Sequence, residues 1–380
     1  MSTASPDAER LARIALSRVV EPGDERVGQL VRATSAAEVW EALRADDLHV
    51  RGVDGYRMRL ADADPHADLE RAASCGARAV IPGDDEWPTG LDAFDGKRPL
   101  LLWARGDGDL RESSGRAVAV VGSRAATGYG EHVAGEMGVA LAERGWTVVS
   151  GGAYGIDARA HRGALIPGGP TLAVLACGID TAYPRGHEGL FDQIAGCGAV
   201  VAELPPGATP TRYRFLERNR LIAGLSTGVV VVEAALRSGA ANTARWAERL
   251  GRSVMAVPGP VTSAMSAGCH TLLRSHTAEC VTDAAEVIEI VGRIGADLAP
   301  QRRAISEPRD TLDAESGRVL EALPARGTCT PDRLARTAGL DPPRVLRALG
   351  RLESGGWVEH DRAGWRLAAN TAGDTRNGGA

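Results

Sequence analysis

The 380-residue sequence predicts an α/β fold, a doubly wound parallel sheet with a small helical domain before it and a winged-helix pattern after it. The first sign is a set of continuous apolar runs, at residues 117–121, 146–149, 171–176, 228–232 and 253–257, of the kind that a parallel sheet buries on both faces. The second is the way these runs terminate: the first four end in glycine-bearing turns and the fifth in Pro258-Gly259-Pro260. The third is a succession of helix, helix, helix and hairpin confined to residues 312–368.

Taken in order, residues 1–75 read as a helical module. Ser5 and Pro6 start a helix with apolar positions at Leu11, Ile14, Ala15 and Leu16, and Ser35 caps another through Ala36, Val39, Trp40 and Leu43. The turn-rich stretch 82–88 opens the central domain, expected over 76–294, and residues 99–103 are a candidate extra strand. The run at 117–121 then ends in Gly122-Ser123-Arg124, with a helix expected over 131–144. A strand, glycine turn and helix in that order leave free backbone donors at the helix start, where an anion is favoured, with Arg124 beside it.

The second run ends in Ser150-Gly151-Gly152-Ala153-Tyr154-Gly155-Ile156-Asp157, where a nicotinamide-binding sheet would carry an acid for the ribose hydroxyls. The G-x-x-x-x-G-K-[ST] phosphate loop is also missing, so neither standard nucleotide use of such a sheet is supported. The third run leads into Cys177-Gly178-Ile179-Asp180-Thr181-Ala182-Tyr183-Pro184-Arg185-Gly186-His187, and the fourth into Glu233, Ser238-Gly239 and a helix beginning near Asn242, with Thr243 in its first turn. Ligands of open parallel sheets gather at the carboxyl ends of the strands, so these turns should converge on one rim.

The most informative segment lies between the third and fourth of these turns. Arg212, Tyr213, Arg214, Phe215, Arg218 and Arg220 stand against one acid, Glu217, immediately before an apolar helical turn from Leu221. Arginines with aromatics make a surface for phosphates and stacked bases, with Phe215 as the stacking ring and Arg218 and Arg220 as phosphate partners. A solvated loop feeding a helix is the other reading of the segment alone.

Together these motifs resemble the DNA-processing protein A family, also called Smf. The resemblance covers about residues 76–290 and rests on five motifs in the family's order: G-S-R, S-G-x-A-x-G-I-D-x-x-A-H, G-x-D-x-x-Y-P, F-x-x-R-N-R-x-I-x-G-L-S and E-A-x-x-x-S-G-x-x-x-T-A. It implies an extended Rossmann-like domain that binds single-stranded DNA, forms a homodimer and hands the strand to the RecA recombinase during uptake of transforming DNA, with no cofactor and no metal. The residue reading and the resemblance together place nucleic-acid contacts at Gly122, Ser123, Arg124, Arg185, Arg214, Phe215, Arg218, Asn219, Arg220, Ser238, Gly239 and Thr243. Two positions depart from the family: it often has arginine in place of Tyr154 and asparagine in place of His270.

Composition bounds the same picture. A net charge of −5 excludes a uniformly basic protein, so a nucleic-acid site must be a local basic patch. Six cysteines lie scattered without C-x-x-C or zinc spacing, which reads as reduced thiols. The start is polar and no charge-free apolar run reaches about 18 residues, so a soluble cytoplasmic chain without membrane contact is expected.

Beyond residue 294, a linker is expected over 295–311, the winged helix over 312–368 and a disordered tail over 369–380. Thr330 is expected to be the N-cap of the second helix, with proline at its first position, Asp341-Pro342-Pro343 starts the third, and Arg344, Arg347 and Arg351 recur along that third helix among nearly balancing acids.

Catalytic candidates are sparse. Asp157 and His161 stand four apart on an expected helix, suited to a side-chain pair or to closing the turn, and Asp180 and His187 add further acid/base or metal candidates. Glu233 occupies a strand end where related nucleoside monophosphate phosphoribohydrolases keep a glutamate, but Ser238-Gly239 replaces their double glycine, and a role in shaping the loop is expected. Three function classes therefore stand: a non-enzymatic single-strand DNA-binding mediator, which leads; a nucleotide-binding or phosphoribohydrolase-like enzyme; and a winged-helix regulator that senses a ligand.

Overall fold

The computed structural model describes residues 5–293, 297–299 and 308–368. Two compact units divide the chain, Met1–Pro300 and Gln301–Ala380. The tail expected over 369–380 and much of the linker expected over 295–311 lie outside the described residues.

The first unit begins with five helices: α1 (Pro6–Val19), α2 (Glu25–Ala33), α3 (Ala36–Arg44), α4 (Val53–Arg57) and α5 (Pro65–Ser74). Ser5 Oγ accepts from the Ala8 amide at 3.2 Å and Ser35 Oγ from the Glu38 amide at 3.1 Å, so both expected caps are in place. Ile14, Leu16, Val39 and Leu43 are buried. These helices do not stand apart as a compact unit of their own. Arg10 grips Asp84 with two hydrogen bonds of 2.7 and 3.0 Å, and Arg18 reaches Asp68 and, at 2.8 Å, the Pro206 carbonyl.

The sheet has nine strands. They are β1 (Ala77–Val80), β2 (Leu102–Arg105), β3 (Ala117–Val121), β4 (Thr147–Ser150), β5 (Thr171–Gly178), β6 (Ala199–Leu204), β7 (Gly228–Val231), β8 (Ser253–Ala256) and β9 (Glu279–Cys280), in the spatial order β1-β2-β6-β5-β4-β3-β7-β8-β9. From β6 to β9 all pairings are parallel, while β2 runs antiparallel to β6 and β1 to β2. All five expected runs are strands, and residues 99–103 supply the start of β2.

Between the strands run α6 (Leu110–Gly115), α7 (Gly128–Glu143), α8 (Ile156–Leu165), α9 (Glu188–Cys197), α10 (Arg212–Gly224), α11 (Gly239–Arg249), α12 (Ala267–Arg274) and α13 (Ala284–Val291). Strand alternation distributes β3 between two cores. Ala117, Ala119 and Val121 pack with Leu221 and Ile222 of α10 and Ala244 of α11, whereas Val118 and Val120 pack with Met137 and Leu141 of α7 and Val287 of α13. The apolar continuity of these runs follows from this double burial.

After β3 the chain winds outward through β4 and β5 to β6, then returns through α10 to β7 on the other side of β3. Strand order therefore reverses between β3 and β7, and a crevice opens there at the carboxyl ends of the two strands.

In the second unit, α14 (Ala314–Ala322), α15 (Pro331–Ala338) and α16 (Pro342–Ser354) precede the antiparallel hairpin β10 (Val358–Asp361) and β11 (Gly364–Leu367). Cys329 bridges Trp365 beside the hairpin, and Val319, Leu334, Val345, Leu349 and Val358 form the core. The pattern is a winged helix. Asp341 caps α16 through the Arg344 amide at 2.9 Å; the cap expected from Thr330 is corrected, since it stands at the start of α15 but its side chain makes no capping bond.

Candidate nucleic-acid interface

The switch-point crevice measures about 770 Å³. Its walls come from three places. The turn after β3 contributes Gly122, Ser123 and Arg124; α10 contributes Phe215, Arg218 and Asn219; the start of α11 contributes Ser238, Gly239 and Thr243. Ser238 is the N-cap of α11, which therefore begins three residues earlier than expected from the sequence, and its Oγ accepts from the Ala241 amide at 3.4 Å.

Phe215 is the centre of the wall. The Arg124 guanidinium lies 4.7 Å from its ring centroid, Arg218 lies 5.9 Å away, and the Tyr183 ring 5.6 Å away at a tilt of 54°. Two cations and two rings thus converge on one edge of the crevice, the arrangement that attracts a phosphate chain and offers its bases a flat partner. Arg124 is exposed, and among the described residues no carboxylate pairs with it.

Arg218 has a different environment from Arg124. It is buried beneath Phe215 and donates from Nη1 to the Gly151 carbonyl at 2.8 Å and to the Val174 carbonyl. Burial pushes its pKa down to about 10, partly offset by the Asp157 carboxylate, which itself is raised by burial and held by Arg218 and the loop amides of Ala153 and Gly151. A Cβ on Gly151 would lie 2.6 Å from this guanidinium, so the glycine is required by its close approach.

Glu233 has a shaping role, but on the turn after β3 and not on the loop that follows it in sequence. Its carboxylate accepts from the Thr127 amide at 2.9 Å and the Thr127 hydroxyl at 2.7 Å, while Thr127 Oγ1 caps α7 by accepting from Gly130 at 3.3 Å. A Cβ on Gly130 would come within 2.3 Å of the Glu233 carboxylate. The strand-end acid is thereby joined to the first turn of α7.

The acid/base candidates do not converge. Asp157 turns toward the loop, accepting from the Gly151 amide at 3.2 Å, and does not pair with His161. His161 is sealed in the core with Nδ1 2.7 Å from Thr171 Oγ1, and Asp180 accepts from the Gly207 amide at 2.7 Å. His187 is held by the Gly152 carbonyl at 2.9 Å. Among the described residues no group of three or more His, Cys, Asp or Glu is placed to hold a metal.

Nine of the twelve expected contact residues line the crevice, and three do not. Arg220 is corrected: it is fully buried on the opposite side of α10, paired with Glu203 at 2.6 and 2.7 Å and bonded to the Lys97 carbonyl, where no phosphate can reach it. Arg214 is likewise corrected. Its guanidinium grips Glu21 at 2.9 and 3.0 Å and the Thr209 carbonyl at 2.7 Å, fastening the N-terminal helices to α10. Arg185 is exposed on the loop beyond Tyr183, outside the crevice wall. Two exposed lining arginines, Arg212 and Arg237, were missed as contacts. Helical spacing from Phe215 back to Arg212 would have found the first. His270, one of the two family departures, is bonded to the Gly259 carbonyl at 3.0 Å.

A doubly wound sheet whose switch-point crevice is edged by arginines and aromatic rings, in a chain that also carries a winged helix, sets the class of protein. The description "DNA recombination-mediator protein A" matches residues 78–292, and "DprA winged helix domain" matches residues 303–364. The chain belongs to the DNA-processing protein A (DprA/Smf) family. A putative DNA processing protein DprA of Mycobacterium tuberculosis is 48% identical over 377 residues, covering 96% of each chain. Protein Smf of Escherichia coli is 38% identical, covering 73% of this chain and 74% of its own. The solved structure of DNA processing protein A from Streptococcus pneumoniae superposes with a TM-score of 0.64 at 30% identity, over 77% of this chain and all of that one. A Helicobacter pylori structure, described as showing a single-stranded DNA binding mode of DNA processing protein A, superposes with a TM-score of 0.51 at 28% identity, over 56% of this chain and 94% of that one. Among the described residues no helix is long and apolar enough to cross a membrane.

Proposed function

We propose that this chain is a non-enzymatic, cytoplasmic mediator that binds single-stranded DNA along the switch-point crevice and, as a homodimer, passes the strand to the RecA recombinase during DNA uptake and recombination. The observation that carries the binding step is the convergence of Arg124, Arg218 and Tyr183 on the Phe215 ring. A base stacks on a ring whatever its identity, and a guanidinium paired with a phosphate carries no base information, so sequence preference is weak. Exposed Arg124, Arg212 and Arg237 supply phosphate contacts, while Arg218 supports Phe215 from below. Family membership and the Helicobacter relative's described binding mode support the reading. The hand-over and the dimer rest on the family resemblance.

Fluorescence anisotropy with labelled single-stranded and duplex oligonucleotides tests it. Single strands bind more tightly, and log affinity falls with log salt at about 0.7 per phosphate neutralised. Phe215→Ala weakens single-strand binding about fivefold or more, consistent with about 1–3 kcal/mol for a stacked base. An unchanged affinity in that folded variant would sink the placement. The hand-over is read separately, from the rate at which RecA filaments form on the same oligonucleotide with and without the chain. For the absence of turnover, incubation with nucleoside monophosphates and ATP should release neither base nor phosphate; release that vanishes in Glu233→Ala would establish the enzyme reading instead.

A further inference from the structure

A second ring platform stands beside the crevice. Tyr154 is 53% exposed, and its ring lies 4.6 Å from that of His187 at an angle of 66°. His187 is buried, locked by its Nδ1 contact to the Gly152 carbonyl at 2.9 Å, and itself rests 6.3 Å from buried Phe191. Three rings therefore rise from the core of the sheet to solvent with the tyrosine uppermost. An exposed aromatic normally costs order and invites association, so one held this rigidly offers a pre-organised surface.

The same loop joins this platform to Phe215. Tyr183 lies against Phe215 at 5.6 Å, and the segment returns from there through Pro184, Arg185 and Gly186 to His187. Gly186 passes so close to Tyr154 that a Cβ there would lie 2.9 Å from the tyrosine hydroxyl. Arg185, exposed and lying between Tyr183 and His187 along the chain, has no carboxylate partner among the described residues. Rings at both ends with a cation between them match the alternation of base and phosphate along a single strand.

We propose, on the reading that the crevice takes single-stranded DNA, that the strand continues past Phe215 and Tyr183, sets a phosphate against Arg185 and stacks a further base on Tyr154. A neutral ring at this position adds no salt-dependent attraction and supplies stacking that added salt does not screen.

The test uses the full-length chain and two oligothymidylates, one of about 4 nucleotides and one of about 12, spanning the usual range of single-strand site sizes. Tyr154→Ala weakens the long strand by about fivefold or more and leaves the short one unchanged; Tyr154→Phe binds both as the parent does. Tyr154→Arg recovers the long-strand affinity at low salt, with a log–log salt slope steeper by about 0.7. A role confined to covering His187 would move none of these slopes. Phe215→Ala serves as the control for the crevice itself and weakens both lengths. If Tyr154→Ala leaves the long strand untouched while Phe215→Ala does not, the extension is wrong and the crevice stands. Equal losses on both lengths in Tyr154→Ala also overturn it, since the tyrosine would then act through the shape of the crevice. If Phe215→Ala changes neither length, the crevice reading fails and the extension with it.

Discussion

Arg218 and Arg220 stand two positions apart on α10 and face different surroundings. At about 100° per residue they project about 200° apart, one under the crevice and the other into the seam with Glu203 of β6. Removing one partner of a buried ion pair leaves the other charge uncompensated, at a cost of about 3–5 kcal/mol. Arg220→Ala therefore lowers the midpoint of denaturant unfolding strongly, and Arg220→Met with Glu203→Leu recovers most of the loss; a single variant as stable as the parent would refute the assignment. His161 gives a second residue-scale prediction. Thr171 Oγ1 donates to the Val148 carbonyl, so His161 Nδ1 is the donor between the two side chains and Nε2 keeps a buried, unpartnered lone pair. Burial pushes its pKa down to about 3 from the usual 6.5, so the unfolded chain binds the proton first. Its contribution is complete above about pH 6.5 and is lost as pH falls toward 3, at up to about 1.4 kcal/mol per pH unit. Unfolding free energy measured from pH 7 to 4.5 should fall more steeply in the parent than in His161→Gln.

Between elements, the site depends on turns that hold one another. The turn after β3 presents Arg124 to Phe215 of α10, and Glu233 at the end of β7 fixes Thr127 in that same turn. Arg124→Ala and Phe215→Ala should therefore be non-additive in single-strand affinity, with a coupling of at least about 0.5 kcal/mol in a double-mutant cycle. Strict additivity would place the two residues at independent contacts. Gly130→Ala tests the packing of α7 against β7. Its methyl would collide with the Glu233 carboxylate, and overpacking of this kind costs about 1–3 kcal/mol. Combining it with Glu233→Ala removes the collision but also the Thr127 cap, so the pair should recover only part of the stability.

For the whole molecule, charge is distributed by pairing more than by composition. In the winged helix, Arg344 lies 3.7 Å from Glu315 and 3.5 Å from Asp341, and Arg351 lies 3.3 Å from Glu315 and 3.5 Å from Asp313. Arg347, midway along the same helix, is exposed without such a partner among the described residues. A duplex-gripping winged helix presents a clearly basic recognition helix, which these pairings largely neutralise. A chain ending after Ala299 is expected to keep single-strand affinity within tenfold of the full chain, that is within about 1.4 kcal/mol. A greater loss would make the second unit a principal DNA contact.

By itself the sequence determined five of the parallel strands, the helix starts at Ser5, Ser35 and Asp341, the winged-helix order and the gathering of Arg124, Phe215 and Ser238 on one rim. These are local or periodic properties: a run buried on both faces must be apolar throughout, and a cap is fixed by one side chain and the amides just after it. Three short or interrupted strands escaped it. In β6 the apolar run is broken by Glu203, in β1 by Arg78, and β9 has two residues, so periodicity carries little signal. Only the tertiary structure decided which arginines of α10 face the crevice, because Glu203, Glu21 and the Val174 carbonyl, which claim Arg220, Arg214 and Arg218, come from β6, the segment after α1 and β5. A guanidinium looks the same in sequence whether a phosphate or a buried carboxylate awaits it. Its partner is set by long-range packing, and that is settled when the sheet closes around it.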